Sequence, residues 1–113
     1  MTDQQYARGT VVKGLDLLGP HEHRPYVCLS TTDPPFRDEE AVYAVVTTTR
    51  RSAAIPLAAT DFTSGGLPRE SYVNPWVLVT IKHADIQGIE VKLTADTVDK
   101  IAQEAATHIG ALD

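Results

Sequence analysis

Residues 21–30 read HEHRPYVCLS, a charged run that meets a proline and then an apolar stretch. Arg24 offers a rigid fork of donors that matches phosphate oxygens. His21 and His23 belong to the residue type that exchanges protons near neutral pH. Where a loop enters a strand, such groups are exposed but anchored, as phosphate handling at the edge of a rigid sheet requires. A solvated loop with Arg24 in a surface salt bridge fits the same spacing, and spacing alone favours that plainer reading. A second candidate is TTTRR, residues 47–51. Threonine hydroxyls can bond a phosphate or a base edge, and Arg50 and Arg51 can neutralise a backbone. A β-prone threonine run followed by solvated charges is the plainer reading, and the stretch taken alone favours it. The third is SYVNPWVLVTIKH, residues 71–83. Tyr72 and Trp76 share parity, so an unbulged strand sets both on one face, where they could stack an unpaired base. Core or subunit-interface packing is the commoner use of such aromatics, and Pro75 disturbs the alternation.

The elements that must position these residues are short apolar runs divided by turn residues. Strands are predicted over residues 9–15, 25–30, 41–49, 52–58, 71–81 and 89–93. Pro25 suits a first strand residue, Pro56 suggests an edge, and Pro75 a bend or bulge. From Thr94 to Ile109 the period changes to that of a helix, with Val98, Ile101, Ala105 and Ile109 on one face. Thr94 is the expected N-cap, Asp96 sits in the first turn, and Gly110 is the stop. Several strands followed by one amphipathic helix predict a mainly β fold, a small barrel or curled sheet covered by that helix.

The chain has 113 residues, enough for one core, and the whole of 1–113 reads as a single domain. Its 42% apolar content fits a globular protein and excludes disorder. The formal charge of −5 excludes a general nucleic-acid coat, though not a local positive site. Arg24, Arg50, Arg51, Arg69 and Lys82 lie in or beside the three motif regions, and acids dominate from Asp85 onward. Cys28 alone cannot form an internal disulfide and reads as a small buried group, and no Cys/His spacing matches a zinc site. The polar start, MTDQQYARGT, carries no hydrophobic core, and no run is long enough to span a membrane. A cytoplasmic, reduced, soluble protein is expected.

RGTVVKG, HRPYVCLS, VYAVVTTT and GGLPRESYVNPWVLVTI follow one another in an order and spacing that resembles the MazF/PemK family of toxins, from about Arg8 to Gly110. DPPF followed by EE, together with SYVNPW, looks most like archaeal members. The resemblance implies an SH3-like small barrel of the MazF/CcdB kind with a C-terminal helix, usually a homodimer. It implies a toxin of a type II toxin–antitoxin system that cuts single-stranded messenger RNA without a metal ion or cofactor. A cognate antitoxin would neutralise it by laying a flexible tail across the toxin dimer. Carried over by motif, Arg24 would stabilise charge on the phosphoryl oxygens and Thr48 would orient them. Thr49, Arg50, Ser71 and Trp76 are the expected RNA-binding residues. Some members carry an arginine and then an acid in the strand matching residues 73–81, where this chain has Asn74 and Trp76. Proton transfer then falls to His23, with His21 less suited, or catalysis rests on electrostatics. The alternative is a non-catalytic protein of the same fold, binding RNA or, like the CcdB toxins, DNA gyrase. HIGALD lacks the tryptophan typical of the CcdB tail, which counts against the latter.

Overall fold

A computed structural model describes residues 6–111. The first half of the MTDQQYARGT stretch and the last two residues of HIGALD lie outside them. Six antiparallel strands are present: β1 Thr10–Leu15, β2 His23–Cys28, β3 Glu40–Thr47, β4 Ile55–Pro56, β5 Tyr72–Lys82 and β6 Gly88–Lys92, followed by helix α1, Ala95–His108. They form one sheet in the order β4-β5-β3-β2-β1-β6. An isolated bridge between Phe62 and Leu93 ties the segment after β4 to the end of β6, and the sheet curls into a half-barrel. No helix of the described residues is long and apolar enough to cross a membrane.

Strand alternation gives this sheet two buried faces. Val11, Val27, Ala44, Val46 and Val73 point to one side and pack with Val98 and Ile101 of α1. Val12, Tyr26, Cys28, Tyr43 and Val45 point to the other and pack with Tyr6 and Ile81. Two faces must be covered, so β1 to β3 read as near-continuous apolar runs rather than strict alternation. Gly9 makes the close approach possible. Its φ of +96° is unfavourable for a side chain, and a Cβ there would lie 3.0 Å from Val98 Cγ2.

Strands β2 and β4 differ most from expectation, and β5 bulges at Pro75 as expected. β2 begins at His23, so His23 and Arg24 are strand residues and Pro25 is the third rather than the first. Pro25 is tolerated because the β2–β3 ladder starts only at Tyr26. The strand predicted over 52–58 shrinks to Ile55–Pro56, where it pairs with Val73 and Tyr72 at the sheet edge. In β5 the register jumps: Ala44 pairs with Leu78 but Val45 pairs with Asn74, which leaves residues 75–77 without partners on β3. Pro75 has no N–H for the ladder and is buried in this bulge. The bulge breaks the shared face expected of Tyr72 and Trp76.

Helix α1 starts as predicted, with the Thr94 hydroxyl accepting from Thr97 N–H at 3.3 Å. Thr97 in turn donates to Asp61 at 2.8 Å, joining the helix start to the segment that closes the half-barrel. The predicted apolar face holds for Val98, Ile101 and Ala105. Ile109 departs from it: the helix ends at His108, and Ile109 is 68% exposed where the chain turns toward Gly110. Ile101→Ala is therefore expected to cost about 2–5 kcal/mol of stability. Ile109→Ala should stay within about 0.5 kcal/mol of the parent. Paired urea titrations measure both.

Candidate active site

The β2–β3 register sets Tyr26 opposite Val45 and would set Arg24 level with Thr47 and His23 level with Thr48, but the ladder stops at Tyr26. Beyond that point the strands part. The gap is a groove of about 230 Å³ lined by His21, His23, Arg24, Pro25, Val46, Thr47, Thr48, Thr49, Arg69 and Ser71. Two guanidinium groups, two imidazoles and several hydroxyls thus converge on one concavity. Thr47 accepts the Thr49 N–H at 3.1 Å, which shapes the turn that presents Thr48. Ser71 is 7% exposed and donates to Arg69 O at 2.9 Å, fixing the chain that carries Arg69.

Arg24 is held from behind. Its Nη1 lies 3.5 Å from Asp16 Oδ1, and the Asp16 side chain has no exposed surface. Asp16 also accepts N–H bonds from Leu18 at 3.1 Å, Gly19 at 2.9 Å and His21 at 3.1 Å. One carboxylate thus folds the loop after β1 and braces the arginine. Burial alone would raise its pKa; the Leu18 N–H, the Arg24 charge and the His21 and Gly19 N–H groups outweigh that and lower it. Tyr26 secures the same loop from below. Its hydroxyl donates to Leu15 O and accepts from Leu17 N–H at 3.3 Å. Its ring lies against Gly14, where a Cβ would sit 3.3 Å from Cε2. Arg24 Nε is buried and has no partner, so the fork is not saturated. An unsatisfied buried donor is a cost that folded proteins keep chiefly where function uses it.

His23 Nδ1 lies 3.4 Å from Glu22 Oε1, a weak contact to an exposed acid. Of the residues expected to act, the groove brings together Arg24, His23, Thr48, Thr49 and Ser71. It does not include Arg50 or Trp76. Arg50 is exposed beyond the groove. Trp76 sits in the β5 bulge, its ring 5.6 Å edge-on from that of His108 on α1. Asp16 was missed as a site residue. Its signal is local: an aspartate three residues before Gly19 in LDLLGPH, the pattern of a side chain bonding backbone N–H groups of its own turn. His21, a member of the HEHRPYVCLS candidate, and Arg69, noted only within the charge distribution, both line the groove. Among the described residues no three His, Cys, Asp or Glu side chains gather as metal ligands.

No family model and no curated protein sequence matches the chain. Solved structures do match it. An endoribonuclease from a mycobacterial species superposes with a TM-score of 0.73 at 24% identity, over 95% of this chain and 93% of that one. An endoribonuclease in complex with its cognate antitoxin, also mycobacterial, gives 0.72 at 22% identity over 96% and 95%. The Mycobacterium tuberculosis toxin MazF-mt6 gives 0.69 at 23% identity over 94% and 99%. The fold is MazF-like over nearly its full length.

Asp16→Asn keeps an acceptor for the turn but removes the charge behind Arg24. At neutral pH it should lower stability by about 1 kcal/mol. A carboxylate with a lowered folded pKa contributes fully above its ordinary value near 3.9, and that contribution is lost as pH falls through the lower folded value. The stability gap between parent and variant should therefore close in the acid limb, below about pH 4. Urea melts across that range measure it.

Proposed function

We propose that this chain is a MazF-type toxin, an endoribonuclease that cuts single-stranded messenger RNA by attack of the ribose 2′-OH. The observation that carries the reading is Arg24, braced by Asp16 and facing Thr48 across a groove left open by the stop of the β2–β3 ladder. In the proposed reaction the 2′-oxygen forms a bond to the adjacent phosphorus, the bond from phosphorus to the 5′-oxygen breaks, and a cyclic phosphate and a 5′-OH result. His23 Nε2 takes the 2′-OH proton, and the leaving oxygen gains one from solvent. Charge that builds on the phosphoryl oxygens is met by Arg24 and oriented by the Thr48 hydroxyl. Thr49, Ser71 and Arg69 bind the flanking backbone, with Arg50 beyond them. A histidine base replaces the acid that Trp76 displaces, and no metal or cofactor enters the scheme.

The neighbours' described activity supports the reading, as does the antitoxin bound to one of them. On it the whole chain is one toxin domain, works in the cytoplasm as a two-fold homodimer and is neutralised by a cognate antitoxin. Leu15, Leu17 and Leu18, each more than half exposed, supply apolar surface for pairing of two copies.

Arg24→Ala should slow cleavage of an unstructured RNA by about 10²–10³-fold. Arg24→Lys should fail nearly as badly, because the charge stays but the planar fork is lost. Both should remain folded by circular dichroism. Cleavage should persist in excess EDTA, end in cyclic phosphates, and stop at a 2′-deoxy substitution. His23→Ala should cost about 10²-fold or more and flatten the pH–rate profile on its acid side. Full activity of Arg24→Ala, or strict dependence on magnesium, sinks the mechanism. Light scattering at micromolar concentration should give a dimer; a monomer would count against the assembly.

A further inference from the structure

Beside the groove lies a second, smaller cavity of about 170 Å³. It shares Pro25, Thr48, Arg69 and Ser71 with the groove, so whatever binds a phosphate at Arg24 has its neighbouring group within reach of this recess. Its remaining walls are Leu67 and Pro68, and one charged residue from a distant strand, Glu90 of β6. Glu90 is exposed and makes no ion pair among the described residues. An acid beside a groove built for an anionic backbone repels that backbone, so its presence is a cost unless it meets a donor on the ligand.

From this juxtaposition we infer that the cavity is a base-recognition subsite, and that the base it selects is guanine. The inference rests on the RNA-cutting reading and specifies its substrate. The faces of a splayed base pack between Pro25, Leu67 and Pro68, which offer apolar surface and no competing polar groups. A carboxylate has two acceptor oxygens and no donor. Guanine alone presents two adjacent donors, N1–H and N2–H, on its exposed edge, which suit a bidentate carboxylate. Its O6 and N7 acceptors suit an arginine, and Arg69 lines the same cavity without an ion pair of its own. Adenine and cytosine each offer one amino group beside a ring acceptor that the carboxylate repels. Uracil offers one N–H between two carbonyls. The half-barrel brings these groups together, because Glu90 belongs to β6 at one end of the strand order and Arg69 to the chain leading into β5, four strands away.

The test is sequencing of cut ends from a randomised unstructured RNA, in chelator, with the full chain and with Glu90→Gln. Guanine should be enriched about tenfold or more over uracil at one position next to the cut. Glu90→Gln swaps one acceptor for a donor, so it should erase that enrichment and favour adenine, which pairs with an amide side chain. Fluorescence anisotropy with short 2′-deoxy-substituted oligonucleotides separates the two readings. Guanine-dependent binding that Glu90→Gln weakens about tenfold, without any cleavage, would keep the subsite and defeat the nuclease. Cleavage with no base preference, or with the same preference in Glu90→Gln, would overturn the subsite and leave the nuclease standing. Neither cleavage nor guanine-dependent binding would overturn both.

Discussion

The Asp16 carboxylate has no exposed surface, yet several backbone N–H groups and the Arg24 charge hold it ionised. The rest of the site depends on that arrangement. Without it the loop from Leu15 to Glu22 loses the bonds to the Leu18, Gly19 and His21 N–H groups, and Arg24 loses the group that sets its direction. A guanidinium on a free stem has many rotamers and would have to be ordered by the substrate at each encounter. Here folding has already ordered it, and the partnerless Nε shows that donor capacity is left over. The pair is thus a positioning device: it contributes little as an ion pair at 3.5 Å and much as a constraint.

That constraint works only because the strands beneath it are immobile. The central strands carry valine, alanine and tyrosine side chains buried on both faces. A β2–β3 ladder between such strands is stiff up to its last pair, Tyr26 with Val45. The groove opens at that last pair, so its two walls are the stiff ends of core strands. The far side of the molecule is anchored in a different way. Arg37 is 7% exposed and meets no acid among the described residues. It donates instead to Thr31 O at 2.8 Å and to Tyr6 O, while His83 Nε2 donates to Arg37 O at 2.8 Å. A charged group satisfied by carbonyls ties the proline-rich loop before β3 to the core. Beside it burial pushes the Cys28 thiol up, partly offset by the Arg37 charge. Cys28 is a fully buried neutral group in this network, as its place mid-run suggested.

Net charge and local charge answer different questions in this chain. At −5 the whole protein repels RNA at long range. The groove nevertheless gathers Arg24 and Arg69 with two histidines, and the acid behind Arg24 is shielded from solvent by its own turn. Close contact with phosphate is favoured where general attraction is not. A surface of this kind selects by position rather than by total charge.

Much of the fold was written in local patterns. The strand runs, the Thr94 cap and the helical period from Val98 to Ala105 all depend on neighbours in sequence, so the amino-acid order determines them directly. Arg24 and Thr48 stood out through the family resemblance, and His23 through the acid missing from it, because the spacing of these residues alone favoured a plain solvated surface. What sequence could not supply was convergence. Trp76 looked like a base platform by parity, but parity fails across the bulge after Asn74, and only the pairing of β5 with β3 places that bulge. Ile109 continued the apolar period on paper; the helix end is decided by where the chain must turn. Asp16 and Glu90 are not among the site candidates of the sequence, and Arg69 counts only within the charge distribution; the curled sheet sets Asp16 behind Arg24 and brings Arg69 and Glu90 beside Thr48. The physical reason is range: a cap or a strand alternation is fixed within a few residues, whereas a groove exists only between segments far apart in the chain.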